Sequence, residues 1–338
     1  MKKHFLTKTL TLLVALALLT ALFAACVPDT NPEDKNTPYA IPENLSVNVE
    51  IFEGARLIGT ITDNTLDGLV QEIITITSTN SAQVETTVSY VSYSMSAIFD
   101  KLDITLPDTI TSVKTLATDA YESSFDITSL ANSYITIGLE EEDAFVEDTK
   151  IKNEKLVIQA PRFISDKTSA LSSSVTKMVS RIIINPVSPY EIPENLNVEV
   201  EIYENETLLG TVSNETLEAV FQQIVEMTTV KDEVETTSAY VCYAMTDIFY
   251  ELDIELPETI TSVNVIATDE YETSFVISSF NAAYLTIGFE DEGEFAEDSK
   301  MKNETLVIQA PRFISDKTSA SSNSVTKMVA KIIINPAA

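Results

Sequence analysis

The sequence predicts an α+β fold made of two tandem homologous domains, each a mostly β core with two short helices. Three observations lead to this prediction. A chain of 338 residues is long enough for two domains of ordinary size. Long stretches of sequence occur twice, which is typical of a duplicated unit. Most of the remaining pattern consists of short segments in which apolar and polar residues alternate, as in half-buried strands.

The repeat covers nearly all of the chain after its N-terminal segment. The stretch LVIQAPRFISDKTSA at 156–170 recurs letter for letter at 306–320, and YAIPENLSVNVEIF at 39–52 recurs as YEIPENLNVEVEIY at 190–203. The offset between the copies is 151 residues up to about residue 80 and 150 afterwards. The counterpart of a residue in the other copy is therefore found by adding or subtracting this offset.

The boundary between the two copies lies in a segment that favours neither helix nor strand. Pro186 and Pro189 interrupt both kinds of regular structure there. The sequence thus predicts a first repeat domain at 39–187 and a second at 188–338.

Two short helices are expected in each copy. In the first copy, NTLDGLVQEI (64–73) spaces its apolar residues at helical intervals behind an Asn-Thr start that can cap a helix. MSAIFDKLDITLP (95–107) reads as a second helix that ends at Pro107.

The other segments of the first copy predict strands. These are 45–52, 110–118, 133–140, 154–160 and 175–185. EEEDAFVED (140–148) and its counterpart EDEGEFAED (290–298) are interpreted as acidic hairpin connections. Calcium binding by these carboxylates is the alternative, but the spaced pattern of a known calcium loop is missing.

The N-terminal segment resembles a bacterial lipoprotein signal peptide. Residues 1–25 combine early lysines, an apolar run and small residues directly before Cys26. The resemblance implies lipidation of Cys26, followed by a polar tether at 26–38 and a place on the extracytoplasmic face of the bacterial cell membrane. An ordinary secretory signal with a chance cysteine is the alternative.

Composition excludes several kinds of chemistry. The single histidine is His4, inside the segment that we expect to be removed, so no mature histidine can serve a catalytic triad or a metal site. Cys26 and Cys242 are the two cysteines, and lipidation of Cys26 leaves no partner for a disulfide. The formal net charge of −31 repels phosphate backbones, so nucleic acid is not expected as a partner.

The order of segments in each copy resembles a known family. "YVSYSMSAIFDKLDITLP" followed by "ATDAYESSF", then "EKLVIQAPRF" and "SSVTKMVSRIIIN", is similar to the molybdopterin-binding domain of the sulfite oxidase superfamily. The resemblance covers about Thr87–Pro186 and Thr237–Pro336. Degenerate versions of that domain occur in exported bacterial proteins.

This chain departs from the family at the residues that matter for cofactor chemistry. The glycine at the family's helix start is Ser92 and Cys242 here, and the glycine of its Asp-Gly-Tyr phrase is Ala120 and Glu270. Active members ligate molybdenum through a cysteine upstream of the helix and hold the pterin with arginine and histidine. The resemblance therefore implies the fold, while catalytic residues, metal ligands and a cofactor are not expected. Molybdopterin remains the alternative cofactor.

Three residues in each copy are candidate ligand-binding residues. They are Asp119, Tyr121 and Arg162 in the first copy and Asp269, Tyr271 and Arg312 in the second. The aspartate offers an acceptor, the tyrosine a flat amphipathic ring and the arginine a two-pronged donor for a carboxylate. The alternative is structural: the aspartate forms the strand-end turn, the tyrosine half-buries its ring, and the arginine pairs with a neighbouring acid.

The sequence thus predicts a lipid-anchored extracytoplasmic binding or interaction protein rather than an enzyme. Its partner would be a small molecule, a glycan or another protein. A redox protein that binds pterin or molybdenum is the alternative function, and a purely structural surface protein is a third alternative.

Overall fold

The computed structural model describes residues 38–79, 85–152, 155–169, 174–231, 234–302, 305–319 and 324–336. The contacts divide the chain into Met1–Ala40 and Ile41–Ala338. The predicted signal peptide, the lipidation site Cys26 and tether residues 26–37 lie outside the described residues. Within the described part, no helix is long and apolar enough to cross a membrane.

The second unit is mostly β, as the sequence predicts. Its described residues form the helices α1 (Asp63–Leu66), α2 (Met95–Lys101), α3 (Asn214–Ala219) and α4 (Met245–Glu251). The strands of the first repeat are β1 (Asn48–Glu53), β2 (Arg56–Thr62), β3 (Glu72–Thr79), β4 (Glu85–Ser94), β5 (Val113–Ala117), β6 (Glu122–Phe125), β7 (Tyr134–Glu141), β8 (Ala144–Val146), β9 (Thr149–Lys152), β10 (Lys155–Ile158), β11 (Arg162–Ile164), β12 (Val175–Thr176) and β13 (Val179–Ile184). Those of the second are β14 (Glu199–Glu204), β15 (Thr207–Ser213), β16 (Gln222–Lys231), β17 (Val234–Ala244), β18 (Ile260–Ala267), β19 (Glu272–Phe275), β20 (Tyr284–Asp291), β21 (Glu294–Glu297), β22 (Ser299–Lys302), β23 (Thr305–Ile308), β24 (Arg312–Ile314), β25 (Val325–Thr326) and β26 (Val329–Pro336).

Corresponding strands of the two repeats pair in the same order. One arrangement is β2-β1-β13-β5-β6 in the first repeat and β15-β14-β26-β18-β19 in the second. The other is β12-β11-β7-β4-β3, with β8 on β7, and β25-β24-β20-β17-β16, with β21 on β20. The hairpins β9–β10 and β22–β23 form separate two-stranded sheets.

Alternation explains why these segments are strands with one buried face. In β18, Val263, Val265 and Ala267 are buried and the residues between them are not. Helix α2 instead buries Met95, Ile98 and Phe99 at helical spacing. The Oγ atom of Ser94 accepts the backbone N–H of Ala97, which caps its first turn.

The predicted helix at 64–73 is wrong beyond its first turn. Helix α1 ends at Leu66, Gly68 adopts a left-handed conformation with φ +75, and β3 begins at Glu72. Val70 is 79% exposed, so the apolar spacing does not form a buried helical face. Pairing of β3 with β4 outweighs the local helical pattern.

Two other predicted segments are shorter or broken. Helix α2 ends at Lys101, well before Pro107, and Asp103 follows with φ 54. The strand predicted at 175–185 is interrupted at Met178, which has φ 51, so β12 and β13 join different sheets. The acidic hairpin prediction is confirmed, because β7 pairs antiparallel with β8 across a turn at 142–143.

One sheet of eleven strands runs through both repeats. Strand β2 pairs in parallel with β16, where the backbone N–H of Ile224 donates to the carbonyl oxygen of Ala55 at 2.8 Å. Arg56 forms ion pairs with Glu226 and Glu290 beside this junction. The junction therefore joins a sheet edge of the first repeat to a sheet edge of the second.

Behind the junction, Arg181 links the two repeats. Its guanidinium lies 2.9 Å from Glu50 and 2.8 Å from Asp247, which is in the first turn of α4. It also lies 5.2 Å from the ring centroid of Phe221, and that ring meets Phe52 edge-on at 5.1 Å. Burial raises the pKa of Asp247, and the nearby positive charge of Arg181 opposes that rise.

Candidate functional site

A cavity of about 460 Å³ lies in the second repeat. Its walls come from the β18–β19 turn, the β22–β23 hairpin and the chain around β25. Its lining includes five charged or aromatic side chains, those of Asp269, Tyr271, Lys300, Lys302 and Lys327. Asp269 and Tyr271 are among the ligand-binding residues predicted from the sequence, whereas the three lysines are not.

The β18–β19 turn positions Asp269 and Tyr271. The Oδ1 atom of Asp269 accepts the backbone N–H of Tyr271 at 3.3 Å, and Glu270 between them has φ +65. This turn leaves the ring of Tyr271 65% exposed. The carboxylate of Asp269 therefore shapes the turn, and the tyrosine ring is open to solvent at the cavity wall.

The first repeat builds the same turn. The Oδ1 atom of Asp119 accepts the N–H of Tyr121 at 3.4 Å, Ala120 has φ +59, and Tyr121 is 63% exposed. Ala120 and Glu270 occupy the glycine position of the resembled family's phrase, and both adopt the left-handed conformation that favours glycine. Both repeats thus form this turn without a glycine at its left-handed position.

The lysines of the cavity come from two separate elements. Lys300 and Lys302 are two residues apart on β22, so they project from the same face of the hairpin. Lys327 follows β25, and its Nζ atom donates to Oε1 of Gln309 at 2.9 Å. Burial lowers the pKa of Lys327, and the positive charges of Arg312 and Lys300 lower it further.

The first repeat carries lysines at the corresponding positions. They are Lys150, Lys152 and Lys177. Burial and the charges of Arg162 and Lys150 lower the pKa of Lys177, as in the second repeat. Each repeat thus brings cationic side chains together, although the chain as a whole is strongly acidic.

The two predicted arginines are each held in an ion pair with an aspartate of the same repeat. Nε and Nη2 of Arg312 donate to the two carboxylate oxygens of Asp298, and Arg312 is only 8% exposed. Arg162 and Asp148 form the same two-pronged pair in the first repeat. Nη2 of Arg312 also reaches Oε1 of Gln309 at 3.4 Å, the atom that Lys327 contacts.

Ligand binding by the six predicted residues stays a prediction. The structure places Asp269 and Tyr271 at the cavity wall with the lysines, and it places Arg312 one contact away. Sequence reasoning missed Lys150, Lys152, Lys177 and their counterparts. A signal was available: positive charges are scarce in this chain, and these lysines are present in both copies.

The described residues do not fit molybdenum ligation as the resembled family performs it. Cys242 is fully buried among apolar side chains, and burial strongly raises the pKa of its thiol. Within the described part of the chain, no group of three or more histidine, cysteine, aspartate or glutamate residues is arranged to hold a metal ion. Cys242 is therefore a small apolar core residue in this fold.

Comparisons with known proteins place the chain in no family. No family model matches it, and no curated protein is similar to it. Among solved structures, it is similar to the sulfane dehydrogenase SoxCD from Paracoccus pantotrophus at 10% identity, with a TM-score of 0.28. That similarity covers 83% of this chain and 77% of the other. A TM-score this low supports no argument about function.

Proposed function

We propose that this is a lipid-anchored extracytoplasmic binding protein with two tandem domains, each offering a cationic cavity to a small anionic ligand. One observation carries the proposal: Lys300, Lys302 and Lys327 converge on one cavity, and their counterparts are retained in the first repeat. The lipid anchor rests on the signal-like sequence before Cys26.

Electrostatics favour an anion at this site. The chain carries a formal charge of −31, so its general surface repels anions, whereas three ammonium groups around one cavity attract them locally. Burial lowers the pKa of Lys327, and the positive charges of Arg312 and Lys300 also lower it. A carboxylate, sulfate or phosphate group would relieve the repulsion between these positive charges.

The shape of the cavity favours a small organic molecule. Its volume of about 460 Å³ lies within the range of small-molecule sites. The exposed ring of Tyr271 offers a flat face on which a sugar or another planar group can stack. An acidic or phosphorylated sugar combines both requirements.

The proposal is tested by calorimetry on the full-length chain in a neutral detergent. The probes are glucuronate, glucose 6-phosphate and a sulfated disaccharide. We expect at least one probe to bind. Lys300→Gln should weaken binding in the cavity of the second repeat by about tenfold, since a hydrogen bond to a charged group contributes about 1.5–3 kcal/mol. Lys101→Gln removes the same charge from an exposed helix end and is the matched control.

Two results would contradict the proposal. Equal weakening by Lys101→Gln and Lys300→Gln would mean that only the overall charge matters. Molybdenum or pterin at one or two equivalents, in protein from a host that makes the molybdenum cofactor, would instead favour the redox alternative.

A further inference from the structure

The junction between the repeats joins two different surfaces. The first, on the β1–β2 side, consists of Phe52, Ala55, Arg56 and Arg181. The second, on the β16 side, consists of Phe221, Ile224, Glu226 and Asp247. Because the two surfaces differ, the junction is heterologous. Each repeat therefore still carries, unpaired, the counterpart of the surface that the other repeat contributes to the junction. Copies that repeat a heterologous contact form closed rings or open chains.

Both unused surfaces are present in the folded protein. Strand β15 ends the five-stranded sheet and β3 ends the six-stranded sheet. Among the residues that the structure describes, no strand pairs with the outer side of either one. We call β15 with Tyr203, Glu206 and Lys331 the β15 edge, and β3 with Val70 and Ala97 the β3 edge.

Apolar side chains are exposed on both edges, and the internal junction buries the counterpart of one of them. Val70 and Ile73 of the β3 edge are 79% and 46% exposed. Ile224, the counterpart of Ile73, is 6% exposed in the junction. On the β15 edge, Leu208 is 50% exposed. Unpaired edges that carry apolar side chains are sites for strand addition.

Two pairs of residues that face each other across the junction have changed at both positions, whereas Glu290, the second acid that pairs with Arg56, is retained as Glu140. The pair Arg56–Glu226 corresponds to Thr207 and Thr75, so both charges are absent at once. The pair Phe52–Phe221 corresponds to Tyr203 and Val70, an aromatic ring and an apolar side chain.

The cation behind the junction has also kept a partner. Lys331 replaces Arg181 and lies 3.3 Å from Glu201 and 4.4 Å from the ring centroid of Tyr203. The counterpart of Asp247 in the first repeat is Ala97. If the β3 edge pairs with the β15 edge, no carboxylate is therefore buried without a partner beside Lys331. A cavity of about 410 Å³ lies beside Glu201 and Lys331, on the side where Ala97 of the next copy would enter.

We propose that copies of this chain associate head to tail, with the β15 edge of one copy paired in parallel with the β3 edge of the next. The backbone N–H of Ile73 donates to the carbonyl oxygen of Glu206, as Ile224 donates to Ala55 inside the molecule. The inter-repeat sheet would then continue from copy to copy. This proposal is independent of what the lysine cavity binds.

Charge sets the conditions for this association. Each copy carries a formal charge of −31, and the ion pairs of the internal junction are missing at the edges. Repulsion between copies is screened by salt, so association strengthens as ionic strength rises.

Cysteine cross-linking tests the geometry in the full-length chain. A chain with both Val70→Cys and Tyr203→Cys is treated with a short bifunctional thiol reagent in neutral detergent at high salt. We expect a ladder of dimers and larger species. A chain with Val276→Cys and Tyr203→Cys is the control, because Val276 is 92% exposed and lies on neither edge. No ladder, or the same ladder in both chains, would overturn the proposal.

Sedimentation gives a second readout without introduced cysteines. The average mass of the wild-type chain should rise with salt and concentration, and Val70→Asp should keep it at the monomer value. Val276→Asp should behave as wild type. A wild-type chain that stays monomeric at every salt concentration would overturn the proposal even if it captures other proteins.

Discussion

The arginines and lysines of this protein have separate roles. Arg162 and Arg312 attract attention in the sequence as scarce cations, but both are held in buried pairs with Asp148 and Asp298. The lysines, which are individually unremarkable in the sequence, line the cavity. A guanidinium can be buried when its fork matches a carboxylate, whereas the ammonium of an exposed lysine stays available to a ligand.

Breaking one buried pair should destabilise the fold. In Asp298→Asn, the guanidinium of Arg312 loses its counter-charge in a site where it is only 8% exposed. We expect the free energy of unfolding to fall by about 3–5 kcal/mol, measured by urea denaturation. The double variant Asp298→Leu with Arg312→Met should lose less, because no buried charge is left. An equal loss in the two variants would show that packing, not charge, is decisive.

Alkaline pH should weaken the fold through buried tyrosines. The hydroxyl of Tyr243 accepts an N–H of Gln222 at 2.8 Å, and burial raises the pKa of Tyr243 from 10.0 to about 12. The folded state therefore holds this proton more tightly than the unfolded state. The stability that this provides is complete below pH 10 and is lost as the pH rises toward 12.

The measurement is the free energy of unfolding at several pH values, with tyrosinate absorbance followed in parallel. Tyr243→Phe should make the decline between pH 10 and 12 shallower. If the free energy of unfolding declines equally in this variant and in the wild type, groups other than Tyr243 cause the decline.

At the scale of single elements, short hairpins determine much of the structure. The acidic segments become the hairpins β7–β8 and β20–β21, whose second strands cover a glycine on the first. A methyl group on Gly288 would lie 2.5 Å from the ring of Phe295 and 2.8 Å from the carbonyl oxygen of Ala296. The glycine allows the two strands and the aromatic ring to approach closely.

Gly288→Ala should therefore destabilise the second repeat. We expect a loss of about 1–3 kcal/mol in the free energy of unfolding, as for other overpacked cores. Adding Phe295→Leu should restore part of it, because the smaller side chain makes room for the methyl group. If the double variant is less stable than the single one by the full cost of Phe295→Leu, the clash is not the cause.

At the scale of the whole molecule, the eleven-stranded sheet makes the repeats depend on each other. Backbone pairing of β2 with β16 is reinforced by Arg56 and Arg181, which reach acids of the second repeat. When few charged contacts join two units, the units unfold in one cooperative transition only if those contacts are intact.

Removing both arginines should separate the unfolding of the repeats. We expect the variant with Arg56→Ala and Arg181→Ala to show two calorimetric transitions where the wild type shows one. Lys331→Ala is the matched control, since this counterpart of Arg181 pairs within its own repeat. Two transitions in the wild type would mean that the junction does not couple the repeats.

Local patterns were good guides wherever neighbouring residues settle the structure. The alternation in 45–52 correctly indicated β1, and the apolar spacing after Ser94 correctly indicated α2. The helix predicted at 64–73 was wrong beyond its first turn, because β3 pairs with β4 despite the helical spacing of the apolar residues. The lysine cavity was missed, since the β22–β23 hairpin and the chain around β25 meet only in the folded protein.

The repeat, the excess of acids and the signal-like start can all be read directly from the sequence, because composition and self-similarity need no three-dimensional information. The joining of the repeats into one sheet cannot. The joined sheet depends on ion pairs of Arg56 with Glu226 and Glu290, which lie far along the chain. The local sequence around these residues does not indicate that they pair. Which sheet edges are paired and which are left open is decided by packing between distant segments, and the interaction surfaces follow from that choice.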